Sequence, residues 1–131
     1  MKTRTLLTLA AALFCGTALS DEKKSDGVTH VDAAGAEKLV KAGTVKVLDV
    51  RTPDEYKEGH IASAKNIDFT GSDFEKQVST LDKAGTYLVH CQSGKRSTNS
   101  LEIFQKLGFK SIYHLDGGLK AWQKAGLPVA K

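Results

Sequence analysis

"TYLVHCQSGKRSTNS", residues 86–100, joins a strand-like run to a helix-like run through a short loop. Its first part, Tyr87-Leu88-Val89, is apolar, as expected for a strand covered on both faces of a parallel sheet. Cys91 follows almost at once, and a helix is predicted to begin near Ser97. Ligands of open α/β sheets bind beyond the carboxyl ends of strands. The stretch therefore predicts a thiol at a position where chemistry commonly takes place.

Strand-like and helix-like patterns alternate on both sides of this stretch. The predicted strands are VTHV (28–31), VKVLDV (45–50), AKNIDF (64–69), TYLVH (86–90) and SIYHL (111–115). The predicted helices are DAAGAEKLVKAG (32–43), TPDEYKEG (52–59), SDFEKQVSTL (72–81), SLEIFQKLGF (100–109) and GGLKAWQKAG (117–126). This alternation predicts an α/β fold, a five-stranded parallel sheet flanked by helices on both faces.

The second predicted helix has a full set of start and stop signals. Thr52 suits the N-cap, Pro53 the first helical position and Glu55 the capping-box partner. Gly59 marks the end of the helix. This helix is therefore the one whose boundaries the sequence defines best.

The first twenty residues resemble a cleaved signal peptide. Lys2 and Arg4 precede an apolar run too short to span a bilayer comfortably, and Ala18 and Ser20 are small residues at the positions a signal peptidase reads. We expect cleavage before Asp21, export to the periplasm and no stable membrane insertion of the mature protein. Residues 21–27 are then a flexible lead-in, and residues 28–131 form the domain.

Two alternatives for this segment are weaker. Cys15 follows an apolar stretch, as in lipoproteins, but Phe14 stands where a lipid-transferring enzyme needs a small residue. An uncleaved membrane anchor is the other alternative. Export with cleavage remains the expectation.

Charge and cysteine count narrow the function classes. Loss of Lys2 and Arg4 would lower the net charge from +4 to +2, and no basic stripe with interleaved aromatic residues predicts nucleic-acid binding. Cleavage would also remove Cys15 and leave Cys91 as the single cysteine. Exported proteins usually pair their cysteines in disulfides, so a lone Cys91 is either a reactive thiol or an inert buried one.

The loop after Cys91 has the composition of an anion-stabilising turn. Gly94 allows the positive φ of a tight bend, and unpaired N–H groups of the following helix add partial positive charge. Lys95 and Arg96 add to this field. A thiolate there is stabilised, so we expect an exposed Cys91 thiol with a lowered pKa. The alternative is a small, buried, unreactive cysteine.

Three segments in register resemble the rhodanese domain: LDVRTPDEYKEGHIASAKNI (48–67), HCQSGKRS (90–97) and LDGGLKAW (115–122). The resemblance covers residues 28–127, and it is closest to the single-domain, exported type found in the periplasm. It implies that Cys91 is the nucleophile that carries a sulfane sulfur as a persulfide. It also implies a substrate-binding cradle formed by Gln92, Ser93, Gly94, Lys95 and Arg96.

The same resemblance implies supporting roles for other positions. Asp49 and Arg51 would support the cysteine loop from the neighbouring strand end. The segments around His60 and Gly117-Gly118, together with Trp122, would be structural.

The remaining histidines carry no predicted catalytic role. His90 should point to the sheet face opposite Cys91, and His30 and His114 are strand residues with no evident partner. No metal-ligand spacing occurs, so we expect neither metal nor cofactor.

The resemblance to the rhodanese domain implies a thiosulfate sulfurtransferase, and the predicted anion-stabilising loop after Cys91 agrees with it. Its donor would be thiosulfate or a similar small sulfur-containing anion, and its acceptor a thiol, cyanide or a protein. A persulfide carrier or protein-docking module with incidental thiosulfate activity is the alternative, and a redox-sensing thiol is a third possibility. A phosphatase of related fold is disfavoured because only four residues separate Cys91 from Arg96, one fewer than in those enzymes. The sequence leaves open whether Arg96 contacts substrate or turns back onto Asp49 or Glu55.

Overall fold

A computed structural model describes residues 23–25 and 27–131 of the chain. The predicted signal peptide and Cys15 lie outside these residues. The strands are β1 (Lys23–Ser25), β2 (Val28–Val31), β3 (Lys46–Asp49), β4 (Lys65–Asn66), β5 (Tyr87–His90) and β6 (Ile112–Leu115). The helices are α1 (Ala33–Ala42), α2 (Pro53–Glu58), α3 (Phe74–Ser79), α4 (Lys95–Lys106) and α5 (Gly118–Lys124).

The strands form one sheet in the order β1-β2-β6-β5-β3-β4. The five strands β2 to β6 are parallel, which confirms the predicted five-stranded parallel sheet. β1 adds an antiparallel edge strand through pairing of Lys24 with Thr29. It lies within the segment expected to be a flexible lead-in, so the sheet extends further toward the N-terminus than the sequence pattern indicated.

Helices cover both faces of the sheet, as predicted. On one face Val89 and Cys91 of the β5 segment pack with Phe74 of α3 and with Leu101 and Phe104 of α4. On the other face, Val47, Leu88 and Leu115 pack with Ala36 of α1 and Leu119 and Trp122 of α5. Alternate side chains of β5 thus enter two separate cores, which is why Tyr87, Leu88 and Val89 form a continuous apolar run.

The helix ends follow the capping signals of the sequence. The Thr52 hydroxyl accepts the Glu55 N–H at 3.3 Å, and Glu55 Oε1 accepts the Thr52 N–H at 3.2 Å, forming the predicted capping box. Gly43 ends α1 with φ 70°. α4 begins at Lys95, two residues before the predicted start. Among the described residues, no helix combines the length and apolar character needed to cross a membrane.

Candidate active site

Cys91 lies where β5 meets α4, at the carboxyl end of a central strand. Because α4 begins at Lys95, only Gln92, Ser93 and Gly94 connect the cysteine to the helix. Gly94 has φ 109° and turns the chain into the first helical turn. The short connection keeps the cysteine sulfur next to the amino end of α4.

The sulfur of Cys91 is surrounded by hydrogen-bond donors. The Gly94 N–H lies 3.1 Å from Sγ, and the Ser97 hydroxyl oxygen lies 3.3 Å from it. The neighbouring carbonyls point elsewhere, since Cys91 O accepts from Leu119 N at 2.9 Å and Gln92 O accepts from Lys120 N at 3.0 Å. Backbone dipoles near the sulfur are therefore oriented to stabilise a negative charge on it.

These contacts set the ionisation of the thiol. Burial raises the pKa of Cys91, but hydrogen bonds from the Ser97 hydroxyl and from the N–H groups of Ser97, Gly94 and Ser93 lower it more, and the net pKa lies below its ordinary value. A lowered pKa increases the thiolate fraction at neutral pH, and the thiolate is the nucleophilic form.

The expectation of an exposed thiol is wrong, because Cys91 is only 1% exposed. Its side chain lies on the sheet face covered by α4 and contacts the core that contains Val89 and Leu101. The exposed residues of the loop are Ser93 and Lys95. Cys91 is thus buried at the base of a polar turn, with hydrogen-bond donors directed at its sulfur.

Two glycines allow the loop to pack closely against the residues before and within α5. A Cβ on Gly94 would collide with the carbonyl oxygen of Asp116. Gly118 has φ 65°, and a Cβ there would lie 2.5 Å from the carbonyl oxygen of Gln92. Gly118 therefore lets the start of α5 approach the cysteine loop, where the N–H groups of Leu119 and Lys120 bind its carbonyls.

Arg96 turns away from the loop and pairs with α2. Its Nη1 and Nη2 donate to the two carboxylate oxygens of Glu55 at 2.8 and 3.0 Å. This contact lowers the pKa of Glu55 to about 2. Of the two roles left open for Arg96, the structure places it as a brace between α4 and α2. Lys95 is exposed and has no ion-pair partner within the described ranges.

Asp49 and Arg51 form a buried ion pair beside the loop. They are 0% and 3% exposed, and Arg51 Nη2 donates to Asp49 Oδ2 at 2.7 Å. Arg51 also donates to the Gly59 carbonyl at 2.7 Å and to Gln92 Oε1 at 3.2 Å. The pair reaches the cysteine loop through Gln92, and it joins the end of α2 to that loop.

An open cleft of about 250 Å³ lies on this side of the loop. It is lined by Arg51, Glu55, Glu58, Gly59, Gln92, Leu119 and Gln123. Its lining is largely polar and charged, so it suits a polar group better than an apolar ligand.

The structure brings together a second set of residues that the sequence did not connect. His114 Nε2 lies 2.7 Å from the Ser97 hydroxyl, and His114 Nδ1 lies 2.8 Å from Asp116 Oδ1. His30 Nδ1 contacts the same Asp116 oxygen at 2.6 Å. Pairing of β5 with β6 places Val89 beside His114, and this long-range register is what no local pattern could reveal.

The ligand atoms of His30, His114 and Asp116 lie within 4.8 Å of one another, close enough to hold a metal ion. Hydrogen bonds from both rings to one carboxylate oxygen account for this proximity without an ion. Burial lowers the pKa of His114, and the Asp116 carboxylate opposes this only in part.

The remaining predicted structural residues are in place. His60 Nδ1 contacts the Tyr56 carbonyl oxygen at 2.7 Å, and its ring stacks on the Tyr56 ring. Trp122 is buried and donates from Nε1 to the Pro128 carbonyl at 2.8 Å. His90 is fully buried, and its Nδ1 lies 2.9 Å from the Cys91 carbonyl oxygen rather than near the sulfur.

Comparison with known proteins identifies the family. A model of the rhodanese-like domain matches residues 32–125. Thiosulfate sulfurtransferase 18 of Arabidopsis thaliana is 34% identical over 123 residues, covering 85% of this chain and 90% of that protein. Thiosulfate sulfurtransferase GlpE of Vibrio cholerae is 25% identical over 104 residues, covering 79% of this chain and 96% of that protein.

Solved structures agree with these sequence matches. A rhodanese-related protein from Thermoplasma volcanium superposes with a TM-score of 0.69 at 33% identity, covering 77% of this chain and 96% of that one. The rhodanese-like domain of an Anabaena protein also superposes with a TM-score of 0.69, at 26% identity, with 77% of each chain covered. The chain therefore belongs to the rhodanese-like domain family of sulfurtransferases.

Proposed function

We propose that this protein transfers a sulfane sulfur from thiosulfate, or from a similar small anion, through a persulfide on Cys91. The observation that carries the proposal is the set of donors around the sulfur, with Gly94 N–H at 3.1 Å and the Ser97 hydroxyl at 3.3 Å. Such donors stabilise an anionic sulfur both before and after it accepts a second sulfur atom.

In the first half-reaction the Cys91 thiolate attacks the outer sulfur of thiosulfate. A new S–S bond forms to Sγ, the bond between the two thiosulfate sulfurs breaks, and sulfite leaves with the electron pair. The negative charge then resides on the outer sulfur of the cysteine persulfide. The lowered pKa of Cys91 increases the fraction of thiolate available for this attack.

In the second half-reaction an acceptor removes the outer sulfur. Cyanide would form thiocyanate, and a thiol would form a persulfide of its own. In both cases the S–S bond to Sγ breaks and the Cys91 thiolate is regenerated. The hydrogen bonds that stabilised the first thiolate also stabilise it as a leaving group.

Lys95 is the best candidate to attract an anionic donor. It is exposed at the start of α4, next to the loop, and has no ion-pair partner among the described residues. Gln92 and Ser93 would line the approach, since Ser93 is exposed and Gln92 borders the cleft. The names of the relatives, which include thiosulfate sulfurtransferases, favour a thiosulfate-like donor.

Phosphatase activity is disfavoured by the loop. Four residues separate Cys91 from Arg96, and both terminal nitrogens of Arg96 are engaged by Glu55. An oxyanion substrate would need that guanidinium directed toward the sulfur. A narrow turn with no guanidinium directed into it suits one sulfur atom better than a phosphoryl group.

Steady-state kinetics with thiosulfate and cyanide test the proposal. A persulfide intermediate predicts ping-pong behaviour, with parallel lines in double-reciprocal plots. Cys91→Ala should abolish transfer and retain the wild-type melting curve. Intersecting lines, or residual transfer by a folded Cys91→Ala protein, would contradict the proposal.

A persulfide carrier that docks on a protein partner is the second candidate. The burial of Cys91 beneath the exposed Ser93 and Lys95 favours it, because a partner's thiol would have to approach through this rim. Transfer from a protein persulfide should then be much faster than turnover of free thiosulfate at equal concentration. The reverse ranking would favour the small-molecule enzyme.

We also propose that the protein is exported to the periplasm. The support is the positive start at Lys2 and Arg4, the apolar run and the small residues before Asp21. The intact mass of protein recovered from a periplasmic extract would test this, since cleavage predicts a chain that begins at Asp21.

A further inference from the structure

A chain of hydrogen bonds connects the sulfur of Cys91 to a carboxylate at the surface. It runs from Sγ to the Ser97 hydroxyl at 3.3 Å, from that hydroxyl to His114 Nε2 at 2.7 Å, and from His114 Nδ1 to Asp116 Oδ1 at 2.8 Å. Ser97 is 0% exposed, whereas the Asp116 side chain is 57% exposed. The chain thus leads from the buried sulfur to solvent.

The positions of the protons in this series of hydrogen bonds can be assigned by starting from Asp116, at the protein surface. The pKa of Asp116 is lowered; burial raises it, but hydrogen bonds from His30 and His114 outweigh this, so the carboxylate is ionised and can only accept. His114 must therefore donate its Nδ1–H to Asp116. When the ring is neutral, its Nε2 carries a lone pair and accepts the Ser97 hydroxyl proton.

The Ser97 hydroxyl has one proton and three acceptors within reach: His114 Nε2 at 2.7 Å, and the Cys91 sulfur and the Gly94 carbonyl oxygen at 3.3 Å each. The shortest contact favours donation to a neutral His114. If that proton is donated to a neutral His114, it is not available to the Cys91 sulfur, and Ser97 instead accepts the S–H proton of a neutral thiol. Ser97 donates to a Cys91 thiolate only when His114 Nε2 carries a proton of its own. The charge on the sulfur and the charge on the imidazole are therefore linked through one hydroxyl group.

We propose that Ser97 and His114 form a proton relay in which the thiol proton of Cys91 is transferred through the Ser97 hydroxyl to His114, so that the thiolate forms together with an Asp116-bound imidazolium. In this step the S–H bond breaks as an O–H bond forms on Ser97, and the original O–H bond breaks as an N–H bond forms on Nε2. No electron is gained or lost. Ser97, which contacts the sulfur, acts as a catalytic residue, and His114 as a positioning residue that holds the proton.

Groups from several elements act on His114. Asp116 stabilises the imidazolium, and His30 of β2 lies edge-on to the His114 ring with centroids 5.3 Å apart, donating to the same carboxylate oxygen. A protonated His30 would oppose protonation of His114. His90 of the adjacent β5 also interacts electrostatically with His114. The Cys91 thiolate is the partner that favours the imidazolium, through Ser97.

The inference deepens the proposed function because it concerns the same sulfur, but its test does not depend on sulfur transfer. The rate of alkylation of Cys91 by iodoacetamide, followed against pH, reports thiolate formation directly. His114→Phe leaves the Ser97 hydroxyl free to donate to the thiolate, but it removes the proton acceptor and its positive charge. We expect the second effect to dominate, so the midpoint of this profile should rise by about one pH unit, with about a tenfold slower reaction near neutral pH. A profile that superimposes on the wild type would overturn the relay.

A double-mutant cycle separates the relay from a structural role. Ser97→Ala should also raise the midpoint, and adding His114→Phe to Ser97→Ala should give no further shift, because His114 acts through Ser97. If His114→Phe shifts the Ser97→Ala profile as much as it shifts the wild type, the relay is wrong. His60→Gln changes a histidine outside the chain of hydrogen bonds and should leave the alkylation profile unchanged.

Nitrogen NMR of the His114 ring provides a second test, in which the ring tautomer is determined in the wild-type protein itself. Linkage is reciprocal, so removal of the thiol in Cys91→Ala should lower the pH at which His114 loses its proton. The neutral ring should be the Nδ1–H tautomer. An identical His114 titration in wild type and Cys91→Ala, or the Nε2–H tautomer, would refute the proposal independently of sulfur-transfer activity.

Discussion

The side chain of Cys91 has an apolar side and a polar side. It contacts the apolar core on one side, and on the other it accepts hydrogen bonds from Gly94 and Ser97. Burial alone would favour the neutral thiol. The donors outweigh that preference, so the pKa of the thiol lies below its ordinary value because a few N–H and O–H groups point at the sulfur.

Gly94 is the residue on which this arrangement depends most. With φ 109° and no room for a Cβ against the Asp116 carbonyl, Gly94→Ala should lower the free energy of unfolding by at least about 2 kcal/mol, from backbone strain and the collision together. Iodoacetamide should also alkylate Cys91 more slowly in this variant, because the N–H of residue 94 would be displaced from the sulfur.

Gly126→Ala is the matched control for this substitution. Gly126 has φ 81° but open space around the position of a Cβ, so only the strain, about 1 kcal/mol, applies. Urea denaturation of both variants measures the difference. Equal losses would show that the loop does not pack tightly against Asp116.

At the scale of elements, α2 and α4 are joined by a bidentate ion pair between Glu55 and Arg96. Glu55 also closes the capping box of α2, so one carboxylate stabilises the start of one helix and binds the start of another. We expect Arg96→Gln to lower the free energy of unfolding by about 1 kcal/mol, measured by urea denaturation. Lys106→Gln, which breaks the more exposed pair with Glu75, should cost less.

The pH dependence of this ion pair follows from the pKa of Glu55. That pKa is lowered to about 2 in the folded protein, so the contribution is fully present above the ordinary glutamate value of about 4.3 and is lost as pH falls toward 2. The difference in free energy of unfolding between wild type and Arg96→Gln should therefore persist at pH 5 or above and become smaller below about pH 4. A gap independent of pH would contradict the ion-pair explanation.

The sequence predicted helix ends well where the residues that form the cap lie close together in the chain. The capping box at Thr52 and the stop at Gly43 were both readable, because a cap involves residues three or four positions apart. The start of α4 was placed too late, because Gly94 begins this helix without a side-chain cap to mark it. β1 was missed because its pairing with β2 lies at the sheet edge and its short charged sequence has no strand pattern.

At the scale of the whole molecule, polar groups collect where the parallel strands end. The Asp49–Arg51 pair, His90 and the relay from Ser97 to Asp116 all lie around the carboxyl ends of β3, β5 and β6. The sequence could predict the position of Cys91, since it follows an apolar strand, and the family resemblance implied the support of its loop by Asp49 and Arg51. It could not predict which loop group Arg51 contacts or that His114 meets Ser97, because those contacts depend on strand order and register.

His90 should make stability depend on pH. It is buried between strands, and its Nε2 has no hydrogen-bond partner within the described part of the chain. Burial lowers the pKa of His90 in the folded state, so the unfolded chain binds more protons below about pH 6.5. The free energy of unfolding therefore decreases as the pH is lowered below that value. Its contribution to this fall is at most about 1.4 kcal/mol per pH unit.

Denaturation of wild type and His90→Gln at several pH values between about 7.5 and about 5 measures this contribution. The variant should show a flatter dependence of the free energy of unfolding on pH, whatever its stability at neutral pH. A slope equal to that of the wild type would mean that His90 does not stay neutral in the folded protein.

We propose that the turn after β5 holds an anionic sulfur on Cys91 that accepts and carries a second sulfur atom. Mass spectrometry of the intact protein after treatment with thiosulfate tests it most directly. We predict a gain of one sulfur atom per chain, located on Cys91, absent from Cys91→Ala and removed by cyanide. An unchanged mass in the folded wild-type protein, or a sulfur that cyanide does not remove, would contradict the proposal that Cys91 carries a transferable sulfur atom.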